Sequence, residues 1–130
     1  MESIHKEVSL YGIEHHQGVI DTIIRELRIE ACAFDVKLIL VEAVMNAHYH
    51  GNQSDSAKPI MIRYSVRNRC LNIQVEDCGE GFKQLIFPDE IKNEHLLDEG
   101  GRGLYLIRCL SDNVKMIQNT IHINKTLTYP

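Results

Sequence analysis

The segment FDVKLILVEAVMNAHYHGN, residues 34–52, decides the fold, because it predicts the central helix of the molecule. From about Phe34 to about Tyr49, apolar residues occupy most of the helix circumference: Leu38, Ile39, Val41, Val44 and Met45. A helix that is apolar nearly all round lies in the protein interior. We expect Gly51-Asn52 to end this helix, because both residues tolerate the left-handed conformation of a helix C-terminus.

Three polar residues interrupt this helix at a spacing of four: Glu42, Asn46 and His50. Residues four apart share one face of an α-helix, and a buried carboxylate or amide needs a partner. An amide oxygen suits magnesium, and a carboxylate can act as a general base. The spacing alone leaves two interpretations open, a ligand site or a polar face turned to solvent.

The residues before this segment predict a strand and an amphipathic helix. Polar and apolar residues alternate over residues 7–11, as in a strand with one buried face. In the helix predicted from Ile13 to Glu30, apolar residues recur at helical spacing and the outer face is charged. The apolar residues are Val19, Ile20, Ile23, Ile24 and Leu27, and the charged residues are Asp21, Arg25, Glu26 and Arg28.

The residues after this segment predict two β-hairpins and a short helix. Alternating residues indicate strands at 59–66, 70–76, 113–118 and 120–127. Turns are expected at residues 67–69 and at Asn119, and the helix from about Leu104 to Leu110. This order predicts an α+β two-layer sandwich, a mostly antiparallel mixed sheet with helices on one face. We expect one domain over residues 1–130.

Glycines cluster in the second half of the chain. Six of the eight lie between Gly51 and Gly103, and Gly101-Arg102-Gly103 opens directly into the short helix. Glycine lets backbone N–H groups approach phosphate oxygens, and a helix N-terminus favours an anion. Glycine pairs also mark plain turns, so a phosphate site and simple turns both remain open. The loop at residues 82–99 is long enough to predict a functional lid or a disordered segment.

Composition argues against several classes of protein. The formal net charge is -4 and no run of lysine and arginine is present, so we expect no direct nucleic-acid partner. No stretch reaches the ~20 apolar residues of a membrane span, and the first ten residues carry no long apolar run. We expect a cytoplasmic protein without membrane association. Its scattered cysteines are expected to be packed, reduced thiols: Cys32, Cys70, Cys78 and Cys109.

Histidines and one cysteine suggest further sites, and each has a plainer explanation. His15-His16, and the alternating His48 and His50, could bind a metal. Adjacent or alternate residues on a helix point apart and no third ligand is evident, so surface or packing histidines are favoured. Cys78 could be redox-active, although a small side chain tolerated in a turn is the favoured explanation.

Three motifs, in this order, resemble those of the GHKL ATPases. Residues 42–52, EAVMNAHYHGN, resemble the family's N box, and residues 77–82, DCGEGF, resemble its DxGxGF box. Residues 99–104, EGGRGL, together with Ile107, resemble its second glycine box. The flanking elements also follow the family's pattern, so the resemblance covers nearly the whole chain. It implies a sandwich of the Bergerat type.

The resemblance assigns roles to single residues. It implies that Glu42 is the catalytic base, that Asn46 is the magnesium ligand, and that Asp77 accepts a hydrogen bond from the adenine amine. The implied cofactors are ATP and Mg²⁺. Further nucleotide-binding residues are implied: His50, Gly79, Gly81, Phe82, Gly100, Gly101, Arg102, Gly103 and Leu104.

The short length and the form of the N box are similar to the branch of bacterial anti-sigma factors that are also serine-protein kinases. The resemblance implies transfer of phosphate from Mg·ATP to a serine or threonine of a small antagonist protein. It also implies a homodimer whose ATP-bound form sequesters a sigma factor. The alternative is a binding module, in which nucleotide shapes a partner-binding surface without phosphoryl transfer. Glu42 favours the enzyme, although the same residue could activate water for ATP hydrolysis.

Overall fold

The computed structural model describes residues 4–79 and 101–127. Within them, helices and strands follow the predicted order: β1 (Ile4–Tyr11), α1 (His16–Leu27), α2 (Ala33–Asn46), β2 (Pro59–Arg67), β3 (Cys70–Glu76), α3 (Gly101–Leu110), β4 (Asn113–Ile117) and β5 (Thr120–Thr126). A 3₁₀ turn, Glu30–Cys32, precedes α2, and a π turn, Ala47–Gly51, follows it. The predicted lid, residues 82–99, lies outside the described residues.

The five strands form one sheet in the order β1-β2-β3-β5-β4. Each pairing between these strands is antiparallel, which confirms the α+β class. The β2–β3 hairpin turns through Asn68 and Arg69, whose φ values of 52° and 66° are left-handed. Two successive left-handed residues match the twist of the paired strands, so the turn predicted at residues 67–69 is confirmed.

One face of the sheet packs against the helices to form the core. Alternate residues of β2 and β3 are almost fully buried there: Ile60, Ile62, Tyr64, Val66, Leu71, Ile73 and Val75. Helix α1 contributes Ile20, Ile23 and Leu27, as its apolar periodicity predicts. Tyr64 also donates a hydrogen bond of 2.6 Å to Glu26 Oε2, which joins the sheet to α1.

The opposite face of the sheet is polar. Arg63 donates to Gln74 Oε1 at 3.1 Å and to Glu76 Oε1 at 2.7 Å. Asn72 Nδ2 donates to Asn124 Oδ1 at 2.7 Å. These residues alternate along their strands with the core residues, so the sheet has one apolar face and one polar face. This agrees with the prediction that the helices gather on one side.

Helix α2 is the central helix of the core, as predicted. Its fully buried apolar residues are Val36, Ile39, Leu40, Ala43 and Val44. Helices α1 and α3 both pack against it. Leu38, Val41 and Met45 nevertheless stay partly exposed, because the flanking helices leave part of its surface uncovered. The predicted central helix is therefore confirmed, with these three residues only partly buried.

The end of α2 also differs from the prediction. Neither Gly51 nor Asn52 is left-handed, because Asn52 has φ of −90° and Gly51 does not have a positive φ. The helix instead widens into the π turn, where Asn52 N donates to Ala47 O at 2.8 Å. The left-handed residues come later, at Gln53 and Ser54, with φ of 52° and 62°.

Helix α1 is shorter than predicted. It ends at Leu27 rather than Glu30, because Arg28 adopts a left-handed conformation with φ of 52° and ψ of 46°. Among the described residues, no helix is both long enough and apolar enough to cross a membrane.

All four cysteines are free. Cys32 is partly buried, whereas Cys70, Cys78 and Cys109 are exposed. The prediction of packed thiols was wrong for these three, because their positions at a strand end, a turn and the outer side of α3 do not face the core.

Candidate functional site

The C-terminal half of α2 places Glu42 against the first turn of α3. A Cβ on Gly103 would lie only 2.5 Å from Glu42 Oε2, so the absence of a side chain lets the carboxylate approach the backbone. The first N–H groups of a helix lack partners within it, and the helix dipole puts positive charge at that end. Glu42 therefore lies beside the part of α3 that suits an anion.

Asn46 follows Glu42 by one helical turn and is only 7% exposed. Within the described part of the chain, its Nδ2 has no hydrogen-bond partner. An unpaired buried polar group costs about 1–3 kcal/mol, and native proteins contain few of them. The unpaired amide therefore points to a ligand at Asn46.

The π turn brings the end of the N box into contact with Asp77. A Cβ on Gly51 would overlap the Asp77 carboxylate, and a Cβ on Gly79 would lie 2.6 Å from Gly51 O. Both positions leave no room for a side chain. Gly51 is therefore needed for close packing, and not for the left-handed conformation that the sequence suggested.

Hydrogen bonds fix the backbone around Asp77. Its N–H donates to Asn119 O at 3.0 Å, and its carbonyl accepts from Asn119 Nδ2 at 2.5 Å. Asn52 Oδ1 accepts from Cys78 N at 2.7 Å. Gly79 N donates to Asp77 Oδ1 at 2.7 Å. These bonds hold the carboxylate in one orientation and engage one of its two oxygens.

The electrostatic environment of Asp77 disfavours its charge. Burial raises the pKa of its carboxyl, the bond from Gly79 N opposes that rise, and the nearby charge on Glu76 reinforces it. A carboxylate with little solvent around it gains from a hydrogen-bond donor, because such a donor stabilises the ionised form. Asp77 is therefore suited to bind a ligand that donates, such as an exocyclic amine.

The other predicted site residues have the following positions. His50 is partly buried in the π turn. Residues 101–104 form the first turn of α3, where Leu104 packs into the core at 5% exposure. Gly81, Phe82 and Gly100 lie outside the described residues, so their predicted roles stay predictions.

The sequence did not reveal the contacts that Asn52 and Asn119 make with the turn at Asp77. Asn52 is fully buried, and Asn119 donates a hydrogen bond to the Asp77 carbonyl. In a sequence, an asparagine next to a glycine or in a turn predicts only a turn. His48 is buried, and its Nδ1 has no partner within the described chain. The alternation of His48 and His50 drew attention to a metal, but the described residues contain no group of three metal-ligating side chains.

The residues of this region fit Mg²⁺ and a nucleotide. Within the described residues the buried amide nitrogen of Asn46 is unpaired, and a flip of the amide would put its oxygen in that place, where it could bind a hard cation. Glu42 lies beside the anion-favouring end of α3, and Asp77 presents a fixed acceptor. Gly51 and Gly103 let the carboxylates of Asp77 and Glu42 approach the backbone closely. Candidate cation, phosphate and base contacts thus come from α2, the start of α3 and the turn after β3.

Comparison with known proteins identifies the family of the chain. The family model described as the histidine kinase-like ATPase domain matches residues 18–126. A serine-protein kinase RsbW of Listeria innocua is 32% identical over 88 residues, which are 63% of this chain and 56% of that protein. The RsbW of Bacillus licheniformis is 34% identical over 91 residues, 63% of this chain and 55% of that protein.

The RsbW of Bacillus velezensis is 32% identical over 94 residues, 66% of this chain and 58% of that protein. The chain thus spans little more than half the length of the curated relatives it matches. The family model covers most of the chain and includes α2, β3 and α3. This chain belongs to the histidine kinase-like ATPase domain family.

Proposed function

We propose that this chain binds Mg·ATP where α2 meets the first turn of α3 and the turn at residues 77–79. The observation that carries the proposal is the convergence of the three motifs on α2. Glu42 of α2 lies against Gly103, and Gly51 of the following π turn lies against Asp77. Between them in the chain is Asn46, whose amide nitrogen has no partner among the described residues. Membership of an ATPase domain family supports ATP as the ligand.

Each motif then has a separate task in binding. Asp77 accepts a hydrogen bond from the adenine amine, and its fixed backbone supplies the direction. The N–H groups at the start of α3 receive the phosphates. Asn46 holds the magnesium ion, whose charge offsets that of the phosphate oxygens. The glycines at 51 and 103 let the Asp77 and Glu42 side chains lie close to the backbone.

We propose further that the chain is a protein serine/threonine kinase. The γ-phosphoryl group passes from ATP to the hydroxyl oxygen of the acceptor residue, the hydroxyl proton passes to the Glu42 carboxylate, and ADP leaves. Positive charge at the α3 N-terminus stabilises the charge that spreads over the phosphoryl oxygens. The names of the relatives as serine-protein kinases support this activity.

The proposed partners follow from the same family branch. They are a small antagonist protein as phosphoryl acceptor and a sigma factor that the ATP-bound form sequesters, with the chain acting as a homodimer in the cytoplasm. We treat residues 1–130 as one domain. The match of about 32% identity over 63% of the chain supports the kinase branch.

A second candidate function is a nucleotide-controlled binding module. The contact between Glu42 and Gly103 favours it, because phosphates arriving at the α3 N-terminus would displace the carboxylate and shift α3 against α2. The shape of a partner-binding surface would then follow the bound nucleotide without phosphoryl transfer.

Two measurements test these proposals. Calorimetric titration with ATP and Mg²⁺ is expected to show one-site binding, and lack of binding would refute both functions. Radiolabelled ATP is then incubated with the chain and a candidate antagonist protein. Label on serine or threonine supports the kinase. ATP-dependent sigma-factor binding without label replaces the kinase with the binding module.

A further inference from the structure

We propose that Asn119 and Asn52 are positioning residues that give the nucleotide site its preference for adenine. This inference rests on the proposed ATP site. It concerns one peptide unit, the amide group between Asp77 and Cys78. Asn119 lies outside the three motifs that resemble those of the family, and Asn52 is the last residue of the N-box segment.

Two side-chain amides hold this peptide unit from opposite ends. Its carbonyl accepts a hydrogen bond of 2.5 Å from Asn119 Nδ2. Its N–H donates one of 2.7 Å to Asn52 Oδ1. Asn52 comes from the π turn after α2 and Asn119 from the turn between β4 and β5, so two separate elements clamp one plane. Rotation of the plane would break at least one bond.

Both asparagines are themselves fixed. Asn52 is fully buried, and its Nδ2 donates to Lys58 O at 3.1 Å and to Pro59 O at 3.3 Å. Asn119 is tied through its backbone, because its carbonyl accepts from Asp77 N at 3.0 Å. The clamp therefore rests on the fold and does not depend on a bound ligand.

The orientation of this peptide unit sets the direction of the Asp77 side chain. Gly79 N engages Oδ1, and Gly51 blocks further movement of the carboxylate on its other side. A ligand atom can therefore reach the second oxygen of the Asp77 carboxylate only from the side that neither Gly79 nor Gly51 occupies. A purine with an amine at C6 donates to it, whereas a purine with a carbonyl at C6 presents a second acceptor and is repelled.

The test compares ATP with inosine triphosphate, which carries a C6 carbonyl in place of the amine. Titration calorimetry of the wild-type chain is expected to give tighter binding of ATP by about tenfold or more, the effect of one buried polar contact. Asn119→Ala removes one end of the clamp and is expected to reduce this preference by about fivefold. Its affinity for inosine triphosphate should change by less than about twofold, because the phosphate contacts remain.

Asn72→Ala is the matched control. It removes an equivalent 2.7 Å amide hydrogen bond on the polar face of the same sheet, remote from Asp77 along β3. We expect the preference for ATP to stay at the wild-type value. A loss as large as in Asn119→Ala would mean that any weakening of the sheet changes the preference, and would overturn the inference.

Asn52→Asp separates positioning from stability. It keeps the Oδ1 acceptor for Cys78 N but loses the Nδ2 donor to two backbone carbonyls. Thermal unfolding is expected to occur at a lower temperature, with the preference for ATP retained. An unchanged preference in Asn119→Ala, or an equal loss for both nucleotides, would refute the inference alone. A wild-type chain that binds neither nucleotide would refute the proposed ATP site as well.

Discussion

The two halves of α2 differ in the kind of side chain that they bury. In the first half, Val36, Ile39 and Leu40 are fully buried among apolar neighbours. In the second half, Asn46 is nearly as buried, but its amide nitrogen has no partner among the described residues. In the π turn that continues this half, Gly51 packs too closely against Asp77 to admit a side chain. The first half supplies stability. The second half also adds Ala43 and Val44 to the core, but it carries the polar residues of the proposed binding site as well.

The largest difference between the halves is expected in catalysis. Glu42→Gln keeps the shape of the side chain but removes its basicity, so phosphoryl transfer to the antagonist should slow by roughly 10²–10⁴-fold. Binding of Mg·ATP should stay close to wild type. Radiolabel transfer and calorimetry measure the two effects.

Asp35→Asn provides the control for this substitution, because it makes the same type of charge loss in the first turn of the same helix. It should leave the transfer rate unchanged. Wild-type transfer by Glu42→Gln would show that another group accepts the proton.

A change in the first half should act on stability alone. Ile39→Ala leaves a cavity in the core, and we expect the free energy of unfolding to fall by about 2–5 kcal/mol. Urea unfolding measures this loss, while calorimetry at low temperature should give wild-type affinity for ATP. Leu38→Ala, at a partly exposed neighbour, should cost less. A selective loss of ATP affinity in Ile39→Ala would contradict the assignment of ATP binding to the second half of α2.

Gly51→Ala tests the close packing in the second half. The new Cβ would overlap the Asp77 carboxylate, so the free energy of unfolding should fall by about 1–3 kcal/mol and ATP should bind more weakly. Gly18→Ala is the control, since a Cβ there meets nothing within 4 Å. That change in α1 should stabilise the chain by about 0.5–1 kcal/mol. Equal effects of the two substitutions would exclude a special role for Gly51.

The smallest effect concerns the pH dependence of stability. Because burial raises the pKa of Asp77, its ionised form costs stability at neutral pH, and this cost disappears as the pH falls through the raised pKa toward about 4. Asp77→Asn should therefore be more stable than wild type at pH 7, with an advantage that shrinks on acidification. Thermal unfolding across this range measures it.

Asp112→Asn should behave in the opposite way. Hydrogen bonds from Thr126 lower the pKa of Asp112, so its ionised form stabilises the fold above about pH 4, and this contribution is lost as the pH falls through the lowered pKa. The substitution should destabilise the chain at pH 7, with a penalty that shrinks in acid. The same sign for both variants would contradict the assigned environments.

The first half of α2 was predictable from the sequence, and the second half only in part. Apolar periodicity identified the helices and strands in their correct order, because burial of apolar side chains depends on local spacing. The spacing of Glu42 and Asn46 also indicated a common face. The contacts of Gly51 with Asp77 and of Gly103 with Glu42 were not predictable, because each joins residues that are distant in the chain.

The asparagines show why such contacts escape a sequence-based analysis. Asn52 reaches Cys78 across 26 positions, and Asn119 reaches Asp77 across 42. The residues next to each asparagine in the sequence do not predict these hydrogen bonds, and both asparagines are typical of turns. The π turn was missed for the same reason, since Gly51 suggested a left-handed helix end when its role is to leave space for Asp77.

The most direct test of the account is the magnesium dependence of ATP binding in wild type and Asn46→Ala. Each protein is titrated calorimetrically with ATP, once with Mg²⁺ and once with EDTA. We predict that Mg²⁺ strengthens binding to the wild-type chain and that Asn46→Ala loses most of this gain, because the amide oxygen no longer holds the ion. No binding by the wild-type chain, or the same gain from Mg²⁺ in both proteins, would contradict the placement of the nucleotide site on the second half of α2.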